Sequence, residues 1–296
     1  ADQLVRRGVK QVTTTHREIW TERIRKLLVQ SKFLDVIDLQ EADLTWKSIR
    51  FQLPRGQLKF MMQSSIDCAP TQANLKRMRR VLSPSCHLCG AYETIRHTLN
   101  YCPTSLKQER FTWRHDSVLL HLTKQLIHRY GDAPGIKVYA DLEGYKVAGG
   151  TIPPHLLTTS SRPDLVVSNA EKKELHVYEL TCPFDAKENI GAAHKRKLER
   201  YQSLPRDVKA FGGDGGGWRV ATLDCIEVCS LGSIGPVTKS VLQTLYPGKS
   251  VYRRLSQNIG KIAISTSYGV FLARSTREWG DVPLIDIVVD KPHVST

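Results

Sequence analysis

Residues 162–201 constrain the fold of this chain more than any other stretch. They read RPDLVVSNAEKKELHVYELTCPFDAKENIGAAHKRKLERY. The apolar run Leu165-Val166-Val167 and the alternating run Leu175-His176-Val177-Tyr178-Glu179-Leu180 flank a polar, charged turn from Ser168 to Glu174. Two β-prone runs spaced this way predict an antiparallel pair, and the lysine-rich segment after them predicts a helix. Asp164 heads the first strand and Glu179 stands near the end of the second, so a hairpin brings two carboxylates side by side. Hard oxygen ligands held together suit Mg²⁺ or Mn²⁺ and leave positions for water and phosphate. Lys195, Lys197 and Tyr201 follow on the helix. Each piece also has a plainer reading: Pro163-Asp164 marks a turn, and the lysines and arginines of the helix form a solvated face. Glu179 resists it, because a carboxylate inside an alternating strand is costly to bury unless paired or metal-bound.

A second cluster lies upstream, in CHLCGAYETIRHTLNYC. Cys86, Cys89, His97 and Cys102 follow the spacing C-x2-C-x7-H-x4-C. The C-x2-C pair with Gly90 behind it predicts a tight knuckle aiming both thiolates at one centre. His97 and Cys102 complete a tetrahedron from a short helix. Four soft ligands leave no open position, which predicts a structural zinc that also supplies folding energy. His87 reads as a bystander. Of the other cysteines, Cys225 and Cys229 fall in or beside an apolar strand and read as small core residues. Seven cysteines, an odd number, argue against a secreted disulfide framework.

The formal net charge of +14 points to a polyanionic partner. Lys76, Arg77, Arg79 and Arg80 make a compact basic run suited to a nucleic-acid backbone or to nuclear import, or else an exposed helix turn. No apolar run approaches membrane-spanning length, and the start ADQLVRRGVK lacks a signal peptide's apolar core. That start also lacks a methionine, as expected of a fragment.

In order, acid, spacer, acid and lysine resemble the PD-(D/E)xK nuclease core. Its usual lysine, two residues past the second acid, is replaced here by Thr181. In the restriction-like endonuclease of site-specific non-LTR retrotransposons the lysine has moved to the following helix, as PD, a spacer, an acid and K…KY. The chain is similar to that branch: Pro163-Asp164, fourteen residues, Glu179, then Lys197 with Tyr201 one turn on, Arg200 standing where a second lysine would. Either Lys195 or Lys197 fits as the catalytic lysine. The cysteine cluster, with seven residues before its histidine, resembles the CCHC knuckle that precedes this endonuclease; retroviral knuckles have four. Leu53 to Met62 and ANLKRMRR are similar to the segment between reverse transcriptase and knuckle. Arg114-His115-Asp116 is similar to a basic-His-acidic triplet ahead of the PD strand, with Arg114 for phosphate and His115 and Asp116 for water or a second metal; Asp116 also reads as a helix cap.

The resemblance covers about Leu53 to Tyr201. It implies an α/β protein: a helical, basic region over 1–82, a zinc knuckle over 83–110 and a PD-(D/E)xK restriction-like nuclease over 111–296. The implied activity is nicking of target DNA so that reverse transcription starts from the freed 3′-hydroxyl. Asp164 and Glu179, with a backbone carbonyl beside Glu179, would hold the Mg²⁺ or Mn²⁺. The implied partners are target DNA, element RNA and the reverse transcriptase portion of the same polyprotein, and the implied location is the nucleus. Two alternatives stand beside it: a nucleic-acid-binding module with an inert nuclease fold, and a resolvase acting on branched DNA.

Elsewhere, residues 13–40 read as packed helix, with Thr13-Thr14-Thr15 as cap. Val138 to Leu142 reads as an edge strand; its Tyr-Ala-Asp is only faintly like a polymerase box, since Leu142 replaces the second acid. The glycine-rich run 211–218 reads as a connection, Arg219 to Val228 as a strand, and 238–278 as two helices.

Overall fold

Apolar runs on successive residues of the inner strands call for one sheet with both faces covered. A computed structural model describes residues 2–27, 31, 35–36, 48–49, 51–131, 133–147, 150–211 and 217–287. Four strands, β1 (Ile136–Ala140), β2 (Leu165–Asn169), β3 (Glu174–Thr181) and β4 (Arg219–Glu227), form a mixed sheet in that order. β1, β2 and β3 pair antiparallel, while β4 runs parallel to β3. The helices are α1 (Asp2–Arg25), α2 (Arg55–Ser65), α3 (Gln72–Arg77), α4 (Pro103–Lys107), α5 (Arg110–Tyr130), α6 (Lys187–Arg200), α7 (Leu204–Phe211), α8 (Pro236–Leu245) and α9 (Lys249–Leu272). A parallel pair needs a long crossover, and α6 and α7 supply it between β3 and β4.

Leu165, Val167, Tyr178 and Leu180 point to one face and pack with Val118, Leu122, Leu242, Ile259 and Ile262 of α5, α8 and α9. Val166, Leu175 and Val177 point to the other, against Tyr201, Leu204 and Val208. A sheet covered on both sides requires the unbroken apolar run seen in β2. Truncating one of these buried leucines to alanine costs about 2–5 kcal/mol. A third cluster joins α2 and the cysteine-rich segment to the end of α9, through Phe60, Ile95, Leu99 and Phe271.

Several sequence expectations change. α1 runs unbroken from Asp2, so Thr13 and Thr14 cap nothing; their hydroxyls donate to the carbonyls of Val9 and Lys10 one turn back. α1 buries none of its residues, so Ile19 and Trp20 are half exposed rather than packed. Leu28, Phe33, Leu34, Ile37 and Leu39 lie outside the described residues, as do Gly149 and residues 212–216. Asp116 sits inside α5 instead of capping it, because that helix already begins at Arg110. The strand around Val138 is the edge strand β1, and Cys225 and Cys229 are fully buried. Among the described residues no helix is long and apolar enough to cross a membrane.

Candidate active site and metal centre

The antiparallel register pairs Leu165 with Tyr178, and one more step sets Asp164 against Glu179. Period-two alternation then places both carboxylates on the face of Val166 and Val177, beneath α6. The backbone N–H of Asp164 donates to Glu179 Oε1 at 3.1 Å, and that of Leu180 donates to Asp164 Oδ2 at 2.7 Å. Glu179 is wholly buried and Asp164 nearly so.

α6 lowers a cation between them. Lys197 Nζ lies 2.8 Å from Asp164 Oδ2 and 2.7 Å from Glu179 Oε2. Tyr201, one turn on, donates its hydroxyl to the Arg162 carbonyl at 3.0 Å. Lys195 points outward instead and pairs loosely with Glu199 at 3.7 Å. A helix advances about 100° per residue, so two lysines two apart face nearly opposite ways. Of the two candidates, only Lys197 meets the carboxylates.

His115 closes the other side. Its Nε2 lies 3.3 Å from Asp164 Oδ2 and 3.2 Å from the Leu180 carbonyl, and its Nδ1 lies 2.9 Å from Asp116 Oδ1. Both ring nitrogens face acceptors, which calls for an imidazolium. Burial opposes that charge, but the bonds to Asp116 and Asp164 outweigh it and hold the His115 pKa well above its ordinary value. The neighbours sort the two acids oppositely. Burial would raise Asp164, but His115 and Lys197 pull it well below the usual carboxylate range. Glu179 is pushed up to about 7 by burial and by the Asp164 charge, against the pull of Lys197. Burial would lower Lys197, yet the two carboxylates hold it above its ordinary value.

Asp164, Lys197 and His115 open onto a groove of about 660 Å³, walled also by Asn100, Asp141, Lys146, Arg162 and Cys182, with Glu179 buried behind them. Lys146 and Arg162 both pair with Asp141, at 3.0 and 2.6 Å.

Comparison with protein-family models and with curated proteins gives no match.

Arg114 corrects a sequence expectation. It is 1% exposed, and its guanidinium donates to the carbonyls of Leu99 and Cys182 and to the Ser267 hydroxyl. It therefore braces the cysteine-rich segment, β3 and α9 rather than offering a free surface charge to phosphate. Lys76, Arg77, Arg79 and Arg80 are exposed at and after α3, and none lines the groove over Asp164.

Cys86, Cys89, His97 and Cys102 converge with all four ligand atoms within 4.8 Å of one another, and can hold a metal such as zinc. Gly90 makes this possible: at φ 77° it turns the chain back so that its N–H reaches the Cys86 carbonyl at 2.9 Å. His97 comes from a five-residue π-type turn, His97–Tyr101. All four fit a tetrahedral ion with bonds of about 2.0–2.3 Å, and none of the cysteines is in a disulfide.

Sequence reasoning missed two buried acids on this side of the sheet. Glu227 Oε1 lies 2.7 Å from His194 Nδ1, and Asp185 Oδ2 accepts from the Leu231 N–H at 2.6 Å. For Glu227 the available signal lay with its partner, His194, three residues ahead of Lys197 on one face of α6; Asp185 carried none.

Proposed function

We propose that this chain is a metal-dependent DNA endonuclease with a restriction-like site at Asp164 and Glu179. One observation carries the reading: a single ammonium, Lys197 Nζ, lies within 2.8 Å of both carboxylates, although the lysine comes from a helix and not from β3. Its position marks a seat for positive charge between two oxygen ligands. The donor set fits a hard divalent ion: Asp164 Oδ1 takes no bond from a described donor, Glu179 lies alongside, and the Leu180 carbonyl faces the same group through His115. Mg²⁺ or Mn²⁺ held there would lower the pKa of water and offset charge on the scissile phosphate.

The chain's own groups supply the rest. Lys197 keeps its proton and stabilises negative charge as it grows on phosphate. His115, held as a cation by Asp116 and Asp164, adds a second donor at the groove. Tyr201 ties the end of α6 to the strand that presents Asp164. Cys86, Cys89, His97 and Cys102 would hold a structural zinc, and Arg114 links that module to the floor of the groove. In the setting that the sequence resemblance implies, the nick frees a 3′-hydroxyl for a reverse transcriptase carrying element RNA in the nucleus.

The test is incubation of the chain with supercoiled plasmid. Nicked circles with Mg²⁺, none with EDTA and none from Asp164→Ala are expected. DNA binding without cleavage by the unaltered chain would leave only a binding module, and undiminished cleavage by Asp164→Ala would remove the site.

A further inference from the structure

A second cavity, of about 300 Å³, adjoins the groove and shares Asn100, Thr181 and Cys182 with it. It runs along the seam between the cysteine-rich segment and α6, past Tyr101, Phe184, Asn189, Ala192 and Arg196. We propose that this seam holds a single DNA strand continuing from the scissile phosphate, with a base stacked on Tyr101 and phosphates on Arg196 and Arg96. The proposal rests on the endonuclease reading and adds the form of its substrate: DNA unpaired on one side of the cut.

Tyr101 is 52% exposed yet rigidly held. The Arg96 guanidinium lies 4.7 Å from its ring centroid and donates to its hydroxyl at 3.0 Å, and also reaches across the seam to Asn189 Oδ1 at 3.0 Å. An exposed aromatic ring fixed in this way is a stacking platform, and stacking on such rings is how unpaired bases are gripped without regard to sequence.

Arg196 supplies the charge. It is exposed, and among the described residues it has no carboxylate partner. Adjacent to Lys197 on α6, it points about 100° away from it, so the helix that sends Lys197 to the carboxylates sends Arg196 to the seam. No acidic side chain lines this cavity, which suits a phosphate backbone. Ala192 and Ala193 keep the passage open but narrow. Its volume, about 300 Å³, is at the low end of small-ligand sites, which run about 300–1,000 Å³. Continuity with the groove over Asp164 favours DNA over RNA, since the strand in the seam is the one being cut.

The full chain, with Tyr101→Ala, Tyr101→Phe and Arg196→Gln variants, is titrated without added Mg²⁺ or Mn²⁺ and without chelator against three probes of one sequence. These are a DNA duplex with a single-stranded arm carrying 2-aminopurine, the fully paired duplex, and the same arm made of RNA. Arm fluorescence should be quenched by the wild-type and Tyr101→Phe chains and not by Tyr101→Ala. Affinity for the armed DNA should fall about tenfold in Tyr101→Ala and about threefold in Arg196→Gln, with the paired duplex changed less than twofold. Equal losses on armed and paired DNA, no loss on either, or stronger binding and stronger Tyr101 dependence with the RNA arm would each overturn the proposal. Zinc content equal to that of the unaltered chain confirms that the variants are folded. Because these measurements need no cleavage, a missing seam and a missing nuclease give different results: the first alters arm discrimination in the absence of Mg²⁺, the second leaves plasmid intact in its presence.

Discussion

His194 Nδ1 lies 2.7 Å from Glu227 Oε1, joining the helix that carries Lys197 to the strand next to Glu179. Glu227 is 2% exposed and sits opposite Thr181 in the parallel register of β3 and β4. Gly235 makes room for its carboxylate, since a Cβ there would collide with it. A lysine borne on the strand itself would be aimed by the sheet; one borne on a helix needs the helix pinned. His194 is three residues ahead of Lys197, on the same side of α6, and provides the pin.

His194→Ala is therefore expected to slow nicking about tenfold while DNA affinity stays within twofold. It should also cost about 1–3 kcal/mol of stability, because a buried carboxylate loses a bond. Single-turnover rates and binding isotherms on one preparation separate the effects. An unchanged rate with lowered stability would make the pair a packing feature only.

The two lysines of α6 should part company. Lys197→Met leaves Asp164 and Glu179 without their shared cation, so nicking should fall at least a hundredfold. The same carboxylates should then bind a divalent ion more tightly, and Mg²⁺ should raise the melting temperature more in this variant than in the unaltered chain. Lys195→Ala removes only an exposed pair and should change stability by less than about 0.5 kcal/mol, with nicking unaffected. Thermal melts with and without added Mg²⁺, in the absence of chelator, and plasmid assays check both.

How far the site was legible follows from its periodicities. Alternation in β2 and β3 placed Asp164 opposite Glu179, and the cysteine spacing brought its four ligands together, because both patterns are short and local. Lys195 and Lys197 could not be separated before the helix's rotation relative to the sheet was known. Arg114-His115-Asp116 looked like one functional triplet, but successive helical residues point about 100° apart. Only His115 reaches Asp164; Asp116 holds it from behind, and Arg114 turns into the core. Glu227 and Asp185 stood next to apolar residues with no motif around them, and their partners lie 33 and 46 residues away. α1 misled because its apolar residues imply a packed face, which the described residues do not provide.

If the cysteine-rich segment holds a zinc ion as proposed, its removal should reach the groove. Leu99, inside that segment, is tied through Arg114 to Ser267 of α9 and to Cys182 just past β3. The expected metal content is one zinc per chain by mass spectrometry, lost in Cys86→Ser and Cys102→Ser. A zinc-selective chelator should lower the melting temperature and reduce nicking even when Mg²⁺ is in excess. If the chelated chain melts and cuts as before, the module is independent of the site.

Asp185 gives a pH signature apart from the proposed metal sites. Burial pushes its pKa up to about 6, against bonds from Ser233 and Leu231 that favour the charged form. Below about pH 4 the acid is protonated whether the chain is folded or not, and it costs nothing. Between about 4 and 6 the unfolded chain has lost the proton and the folded chain keeps it. Stability contributed by this group is thus lost as pH rises through the folded value, by about 3 kcal/mol in all for a shift of about two units. Asp185→Asn cannot ionise and escapes the loss. In urea unfolding it should match the unaltered chain near pH 4 and exceed it by up to about 3 kcal/mol at pH 7. A variant less stable than the unaltered chain at pH 7 would mean that attraction to Arg114 outweighs burial, and that Asp185 is charged in the folded protein.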